Sequence, residues 1–278
     1  MSFSQQSIPG IRIVLTVKNI IFIFVSVAVI FISVGLTVLR WSWLIPELEI
    51  NYSTCKDTPI DAHYIYFGSS PIMDVNLGWT TRTSSTGSSQ CLIDFYLPDD
   101  IVSPLIYYQL DNFYQSNRAF VKSFSYAQFV GDAVTDQHAL TKECGDVTTR
   151  NGKIIYPCGM FPNTMFNDSL VVLGQIDKIG APLGANLNYL TNVNIGWKSR
   201  ESIYKPTSYN LNDILSPANW DIVYNATNLN IISTSPQFRV WTHIAAFPTF
   251  RKLWSRLNST LKAGYYRIII DDGILVLI

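Results

Sequence analysis

The hydrophobic pattern is most continuous near the start of the chain. Residues 20–39 read IIFIFVSVAVIFISVGLTVL, twenty positions without a charge, interrupted only by Ser26, Ser33 and Thr37. That is the length a helix needs to cross a bilayer, so the pattern predicts a transmembrane helix. A cleaved leader would be followed by small residues, whereas Arg40, Trp41, Trp43 and Leu44 follow here, and the segment reads as an uncleaved anchor. Arg12 and Lys18 precede it, while Arg40 is trailed by Glu47 and Glu49. The excess of positive charge on the leading side predicts a cytoplasmic N-terminus. The expected organisation is a cytoplasmic tail at 1–19, a transmembrane helix at 20–39 and a lumenal or extracellular ectodomain at 40–278.

Beyond the anchor the period changes. Short β-branched and aromatic runs recur between turn residues: LIDFYL from Leu92, LIYYQL from Leu105, LVVL from Leu170, LNII from Leu229 and YYRIII from Tyr265. Each is expected to be a strand, which makes the ectodomain mainly antiparallel β and sandwich-like, with a few short helices. The small polar residues at 80–90, TTRTSSTGSSQ, are expected to form a surface loop ending at Cys91. One helical signal stands out after Pro248, where Phe250, Leu253, Trp254 and Leu257 fall at i, i+3, i+4 and i+7. Arg251, Lys252 and Arg256 would then occupy its solvated side.

Composition agrees with a core-forming, membrane-leaning chain: charged residues are 14%, hydrophobic residues 48% and the mean hydropathy +0.18. Those values exclude a disordered chain. Twenty basic residues balance twenty acidic ones with no long basic run, so nothing draws the chain to nucleic acid. The four cysteines, Cys55, Cys91, Cys144 and Cys158, all lie after the apolar segment, as do N-x-S/T sequons at Asn51, Asn167, Asn225 and Asn258. Both features fit an oxidising, glycosylating compartment. Four cysteines allow three pairings. Joining nearest neighbours, Cys55 with Cys91 and Cys144 with Cys158, closes the two shortest loops and is the expected pairing, with four reduced buried thiols as the alternative.

Catalytic patterns are scarce. His63, His138 and His243 have no metal-ligand spacing, and no nucleophile elbow, P-loop or dinucleotide fingerprint occurs. The acidic pairs Asp99–Asp100 and Asp271–Asp272 are the only carboxylates that suggest a glycan-processing enzyme; the first follows Pro98 in a turn and the second lies near the end of the chain. Neither a metal nor a cofactor is implied.

Five sequence blocks carry a family resemblance. YYQLDNFYQSNRAFVKS (107–123) resembles the N-F-Y-Q-N-x-R-x-Y-x-x-S block of the cell division control protein 50 family, also called ligand-effect modulator 3 proteins. PCGMFPNTMFNDS (157–169) is similar to that family's P-C-G-x-x-x-N-S-x-F-N-D-T, and NIGWKS around Trp197 to its I-A-W segment. WTHIAAFPTFRKLWSRL (241–257) and LKAGYY (261–266) resemble its W-M-R-x-A-x-x-P-x-F-R-K-L and L-x-A-G-x-Y blocks. Departures are Ala119 and Phe120 after Arg118 where the family has R-R-Y, the loss of the acidic residue after I-A-W around Ser199 and Arg200, fewer cysteines, and an apolar end, GILVLI, too short for the family's second membrane helix.

The resemblance implies an accessory β-subunit of a phospholipid-flipping P-type ATPase. Such a subunit would be non-catalytic, would use no cofactor, and would support its partner's folding and exit from the endoplasmic reticulum. It would reside with the ATPase and membrane lipid in the endoplasmic reticulum, the Golgi and endosomal system or the plasma membrane. The resemblance also supports pairing Cys144 with Cys158 and puts Asn167 on the family's F-N-D-T sequon. Within the matching blocks, Phe113, Tyr114, Arg118, Trp197, Trp241, Phe250, Arg251 and Lys252 are expected to face the partner. The rival readings are a single-pass lumenal enzyme acting on glycans and a free-standing receptor or adhesion ectodomain.

Overall fold

The computed structural model describes residues 16–53, 55, 65–68, 70–71, 78–83, 89–183, 190–220 and 222–271. His63, Asp272, residues 84–88 of the polar stretch and the terminal GILVLI lie outside them.

The apolar segment is a single helix, α1 (Val17–Trp43), long and apolar enough to cross a membrane, with a mean hydropathy of 2.8. Thr16 caps its start by accepting from the Asn19 amide at 3.4 Å. The hydroxyls interrupting the run are satisfied within the helix. Ser26 donates to the Phe22 carbonyl at 2.8 Å, Ser33 to Val29 at 2.9 Å and Thr37 to Ser33 at 2.8 Å, so none presents an unpaired donor to lipid.

The remainder of the chain is mainly β, built from antiparallel sheets and short helices. Three short strands, β1 (Leu48–Ile50), β2 (Ile65–Phe67) and β3 (Ser70–Pro71), make one small sheet in chain order. The largest sheet has the order β4-β5-β13-β9, from β4 (Gly78–Thr83), β5 (Ser89–Leu97), β9 (Ser169–Ile176) and β13 (Gly264–Asp271). Burial in β5 alternates with a period of two: Cys91, Ile93, Phe95 and Leu97 are buried and the residues between them are not. Register fixes the cross-strand pairs. Phe95 stacks on Tyr266 at 5.8 Å on the inner face, and on the other face Tyr96 meets Tyr265 at 4.9 Å. Asp94 receives a bidentate pair of hydrogen bonds from Arg267, 2.6 Å each, directly across β5 and β13.

A second sheet has β12 (Phe250–Leu257) between β10 (Leu190–Thr191) and β6 (Leu105–Leu110). Here the structure corrects the sequence reading, because the segment after Pro248 is a strand and not a helix. The strand has a register shift between Leu253 and Ser255, and Phe250, Leu253 and Trp254, which set the apparent helical period, are only half-buried. Buried positions fall at Lys252, Ser255 and Leu257, three apart across the bulge and then two apart. The expected strand from Leu229 is also corrected: 231–234 form a helical turn, and a second follows at 236–241, where Ser235 caps the Phe238 amide at 3.1 Å and Pro236 takes the first helical position. In the polar stretch, Thr80–Thr83 belong to β4 and Ser89–Gln90 to β5, rather than to a loop.

The largest core lies among the short helices and loops. Between β6 and β9 run α2 (Arg118–Lys122), α3 (Tyr126–Phe129), α4 (Gln137–Cys144), β7 (Thr149–Arg150), β8 (Lys153–Ile155) and α5 (Met160–Asn163). β8 pairs antiparallel with β7 and parallel with β11 (Ile214–Leu215). These elements, with α6 (Ile231–Thr234) and α7 (Pro236–Trp241), enclose Phe129, Leu140, Tyr156, Phe161, Ile232 and Phe238 among others. The disulfide Cys144–Cys158 sits inside this cluster with both cysteines fully buried, and Cys55 joins Cys91 on β5.

Candidate functional site

The family-like blocks converge where α7 ends and β12 begins. Lys252 is 6% exposed, and its Nζ donates to three carbonyls: Trp241 at 2.7 Å, His243 at 2.6 Å and Val240 at 3.3 Å. It therefore caps the C-terminal end of α7, where the orphan carbonyls and the helix dipole both favour a cation. The rings of Trp241 and Phe250 lie 5.0 and 5.3 Å from the ammonium. Burial pushes the Lys252 ammonium down to about 7.

Gln115, fully buried, completes the clamp. Its Oε1 accepts from the Ala245 amide at 3.0 Å and its Nε2 donates to the Trp241 carbonyl at 3.4 Å. The Phe113 amide donates to the Pro248 carbonyl at 3.0 Å, and Ser116 donates to Ala246 at 3.3 Å. The segments 113–116 and 241–250 are thus stitched together by backbone and side chain. Phe113 is the aromatic hub between them, meeting Phe120 at 5.5 Å, Trp241 at 5.6 Å and Phe250 at 6.2 Å.

The eight residues expected at a partner surface separate accordingly. Trp241 and Lys252 are corrected to core residues: Trp241 is completely buried and donates from Nε1 to the Phe161 carbonyl at 2.8 Å, and neither presents surface to a partner. Phe113 and Phe250 are half-buried packing residues. Tyr114, Arg118, Trp197 and Arg251 are exposed. Trp197, 65% exposed, lies against His243 at 5.7 Å with the two rings nearly parallel. Arg251 donates to Gln109 at 2.6 Å and lies 3.8 Å from Glu49.

Sequence reasoning missed Ile244 and Phe247, exposed apolar residues of the segment that Gln115 and Lys252 pin, and Gln115 itself. Phe247 is 75% exposed. Its position between Ala246 and Pro248 inside a matching block was a usable signal, whereas a buried glutamine has none in a hydrophobic pattern.

Among the described residues, those considered for chemistry form no cluster that could hold a metal ion. Asp100 accepts from Lys262 and from the Ala263 amide, both at 2.8 Å, and these bonds hold its carboxyl below the usual range. Asp271 ends β13, and His138 lies in α4. A cavity beside Asp94, Ile176, Asp177 and Tyr265 has about 140 Å³, below the ~300 Å³ at which small-molecule sites begin.

The four sequon asparagines are spread over the ectodomain. Asn51, Asn225 and Asn258 are exposed and Asn167 is half-buried. Tyr52, which follows Asn51, donates from its hydroxyl to the carboxylate of Asp168, which follows Asn167, at 2.8 Å.

Comparison with known proteins assigns these blocks to one family. A family model described as the LEM3 (ligand-effect modulator 3) family / CDC50 family matches residues 38–274. Similar proteins include the phospholipid-transporting ATPase accessory subunit LEM3 of Saccharomyces cerevisiae, 30% identical over 96% of this chain and 69% of that protein. The phospholipid-transporting ATPase accessory subunit CDC50 of Chaetomium thermophilum is 29% identical over 98% of this chain and 74% of its own. Cell cycle control protein 50A of Mus musculus is 29% identical over 95% of this chain and 72% of its own. With the match running from the end of the apolar helix through the last described strand and taking in every block of the clamp, the chain belongs to the LEM3/CDC50 family.

Proposed function

We propose that this chain is a non-catalytic accessory subunit of a phospholipid-translocating P-type ATPase, with residues 1–19 cytoplasmic and 40–278 lumenal or extracellular. The ATPase hydrolyses ATP and moves lipid. The accessory chain contributes an oxidised domain that docks on its non-cytoplasmic side and supports its folding and exit from the endoplasmic reticulum. Two relatives carry printed names that make them accessory subunits of phospholipid-transporting ATPases, which supports this reading.

The observation that carries it is the exposed aromatic end built on the Lys252–Gln115 clamp. Tyr114, Trp197 and Phe247 are 59%, 65% and 75% exposed. Large rings held in water by a rigid backbone lose little conformational freedom on docking and bury much apolar area, the properties of interface anchors. Arg118, exposed four residues after Tyr114, adds a planar cation suited to carboxylates of a partner loop.

Co-purification with the ATPase tests the proposal. Full-length chain is expected to recover the pump, and Tyr114→Asn is expected to lose it, because that single change creates an Asn-Gln-Ser sequon and places a glycan on the docking surface. Tyr114→Asn combined with Ser116→Ala removes the sequon, leaving only the loss of the ring and of the Ser116 hydroxyl, and restores part of the recovery. Full recovery with a glycan present at position 114 overturns the assigned surface, and failure of the unmodified chain to recover any P-type ATPase overturns the function.

A further inference from the structure

The exposed ring of Trp197 is held in place by contacts other than the Lys252–Gln115 clamp. Residues 196–204 are fastened to one side of α7 and of the turn after it, at 239, 242 and 243, which are i, i+3 and i+4 on a helical turn. The buried Tyr204 donates from its hydroxyl to the buried Thr242 hydroxyl at 2.6 Å, which itself donates to the Arg239 carbonyl at 2.9 Å. The Arg239 guanidinium, on a side chain 11% exposed, donates to Glu201 Oε1 at 2.6 Å and to the Ser233 carbonyl at 3.2 Å. Trp197 and Glu201 bracket a single 3₁₀ turn, Lys198–Arg200, closed by the Arg200 amide on the Trp197 carbonyl at 3.0 Å and the Glu201 amide on the Lys198 carbonyl at 3.1 Å. A turn that short has little stability of its own.

We propose that Arg239 and Glu201 are positioning residues for Trp197, the ring offered to the partner. The inference rests on the docking reading above. Among the described residues the one ring contact of Trp197 is with His243, so packing alone does not hold it and its backbone must. Glu201 ends the turn that Trp197 begins, and the guanidinium ties that end to α7, whose own C-terminal end is fixed by Lys252. Trp197 thereby takes its place from the same helix as the segment that carries Phe247. The planar fork of Arg239 serves a carboxylate and a carbonyl at once, which a lysine would not do in one geometry.

The test is a double-mutant cycle on full-length chain, read by titrated co-purification with the ATPase and by thermal melts. Glu201→Ala is expected to weaken recovery of the pump about tenfold in the wild-type background and not at all beside Trp197→Ala, because an absent ring needs no positioning. Glu201→Gln keeps an acceptor at the same reach and should restore most of the loss. Glu201→Ala should melt within about 4 °C of wild type, since the Glu201 side of the pair is 51% exposed. Equal losses with and without Trp197, no loss in either background, or a loss that tracks an early melt each overturn the positioning role and leave the docking reading standing. If the unmodified chain recovers no P-type ATPase, or Trp197→Ala recovers it as wild type does, Trp197 is no anchor and the role falls with it.

Discussion

Two tryptophans from matching blocks looked equivalent in sequence, and the structure separates their roles. Trp241 is completely buried, with its Nε1 on the Phe161 carbonyl at 2.8 Å; Trp197 is 65% exposed. Trp241→Phe takes the hydrogen-bond donor from a buried carbonyl, which costs about 1–3 kcal/mol, and leaves a small void whose cost is about 1 kcal/mol. The sum, about 2–4 kcal/mol, should lower the melting temperature by roughly 5–15 °C for a domain of this size. Trp197→Ala removes one ring contact at the surface and should change stability by no more than about 1 kcal/mol. As an anchor at a partner interface, however, its loss should weaken ATPase binding by about 2 kcal/mol, roughly thirtyfold. Far-UV circular dichroism melts of the purified full-length variants, beside titrated pull-downs of the ATPase, read the two quantities separately. The reasoning is refuted if Trp241→Phe melts with the wild type while losing the pump, or if Trp197→Ala melts as early as Trp241→Phe.

Three further outcomes are expected. Replacing both Cys144 and Cys158 with alanine releases a loop with a sequence separation of 14, worth about 3 kcal/mol by loop entropy, and removes two sulfurs from the core; an unchanged denaturation midpoint would contradict the placement. Burial lowers Lys252 from 10.5 to about 7, so between those values the unfolded chain holds a proton that the folded chain releases, and unfolding free energy should rise with pH from about 7 toward 10. Denaturant titrations across that range should show the rise in wild type and a flatter profile in Lys252→Met, and identical profiles would exclude Lys252 as its source. Gly159 has φ +105°, and a Cβ there would collide with the Ser123 carbonyl oxygen, so Gly159→Ala should destabilise by more than about 3 kcal/mol; a thermal melt within 2 °C of wild type would show that this backbone can yield.

The legible parts of the fold were those where one physical signal acted alone. The membrane helix was read from twenty uncharged positions, and β5 and β13 from β-branched and aromatic runs between turn residues. β12 was misread because the apolar residues that set the helical period, Phe250, Leu253 and Trp254, are only half-buried, while the buried positions before Leu257 are the polar Lys252 and Ser255 on either side of the bulge. The reading of LNII failed for a different reason. β-Branched residues favoured a strand, but Asn225 and Asn228 close a turn immediately before it, and Ser235 and Pro236 start α7 immediately after it, leaving room only for one helical turn. Ser235 and Pro236 are the sequence signal for that helix start.

The exposed end was only half legible, because its residues are recognisable and its support is not. Hydrophobic patterning assigns a lysine and a glutamine to solvent, yet Lys252 and Gln115 are buried where three carbonyls and one amide of 240–245 need partners. A purely apolar pair at those positions would leave the end of α7 unsatisfied and the following turn unpinned. The polar pair instead fixes the backbone from which Ile244 and Phe247 project, while the residues on either side of Gln115, Tyr114 and Ser116, respectively face solvent and tie down Ala246. The matching blocks therefore hold two layers: a buried polar clamp that sets backbone positions, and exposed rings carried on that backbone, which the proposed docking would use. This accounts for Trp241 and Lys252 belonging to the same blocks as the surface residues while being buried themselves.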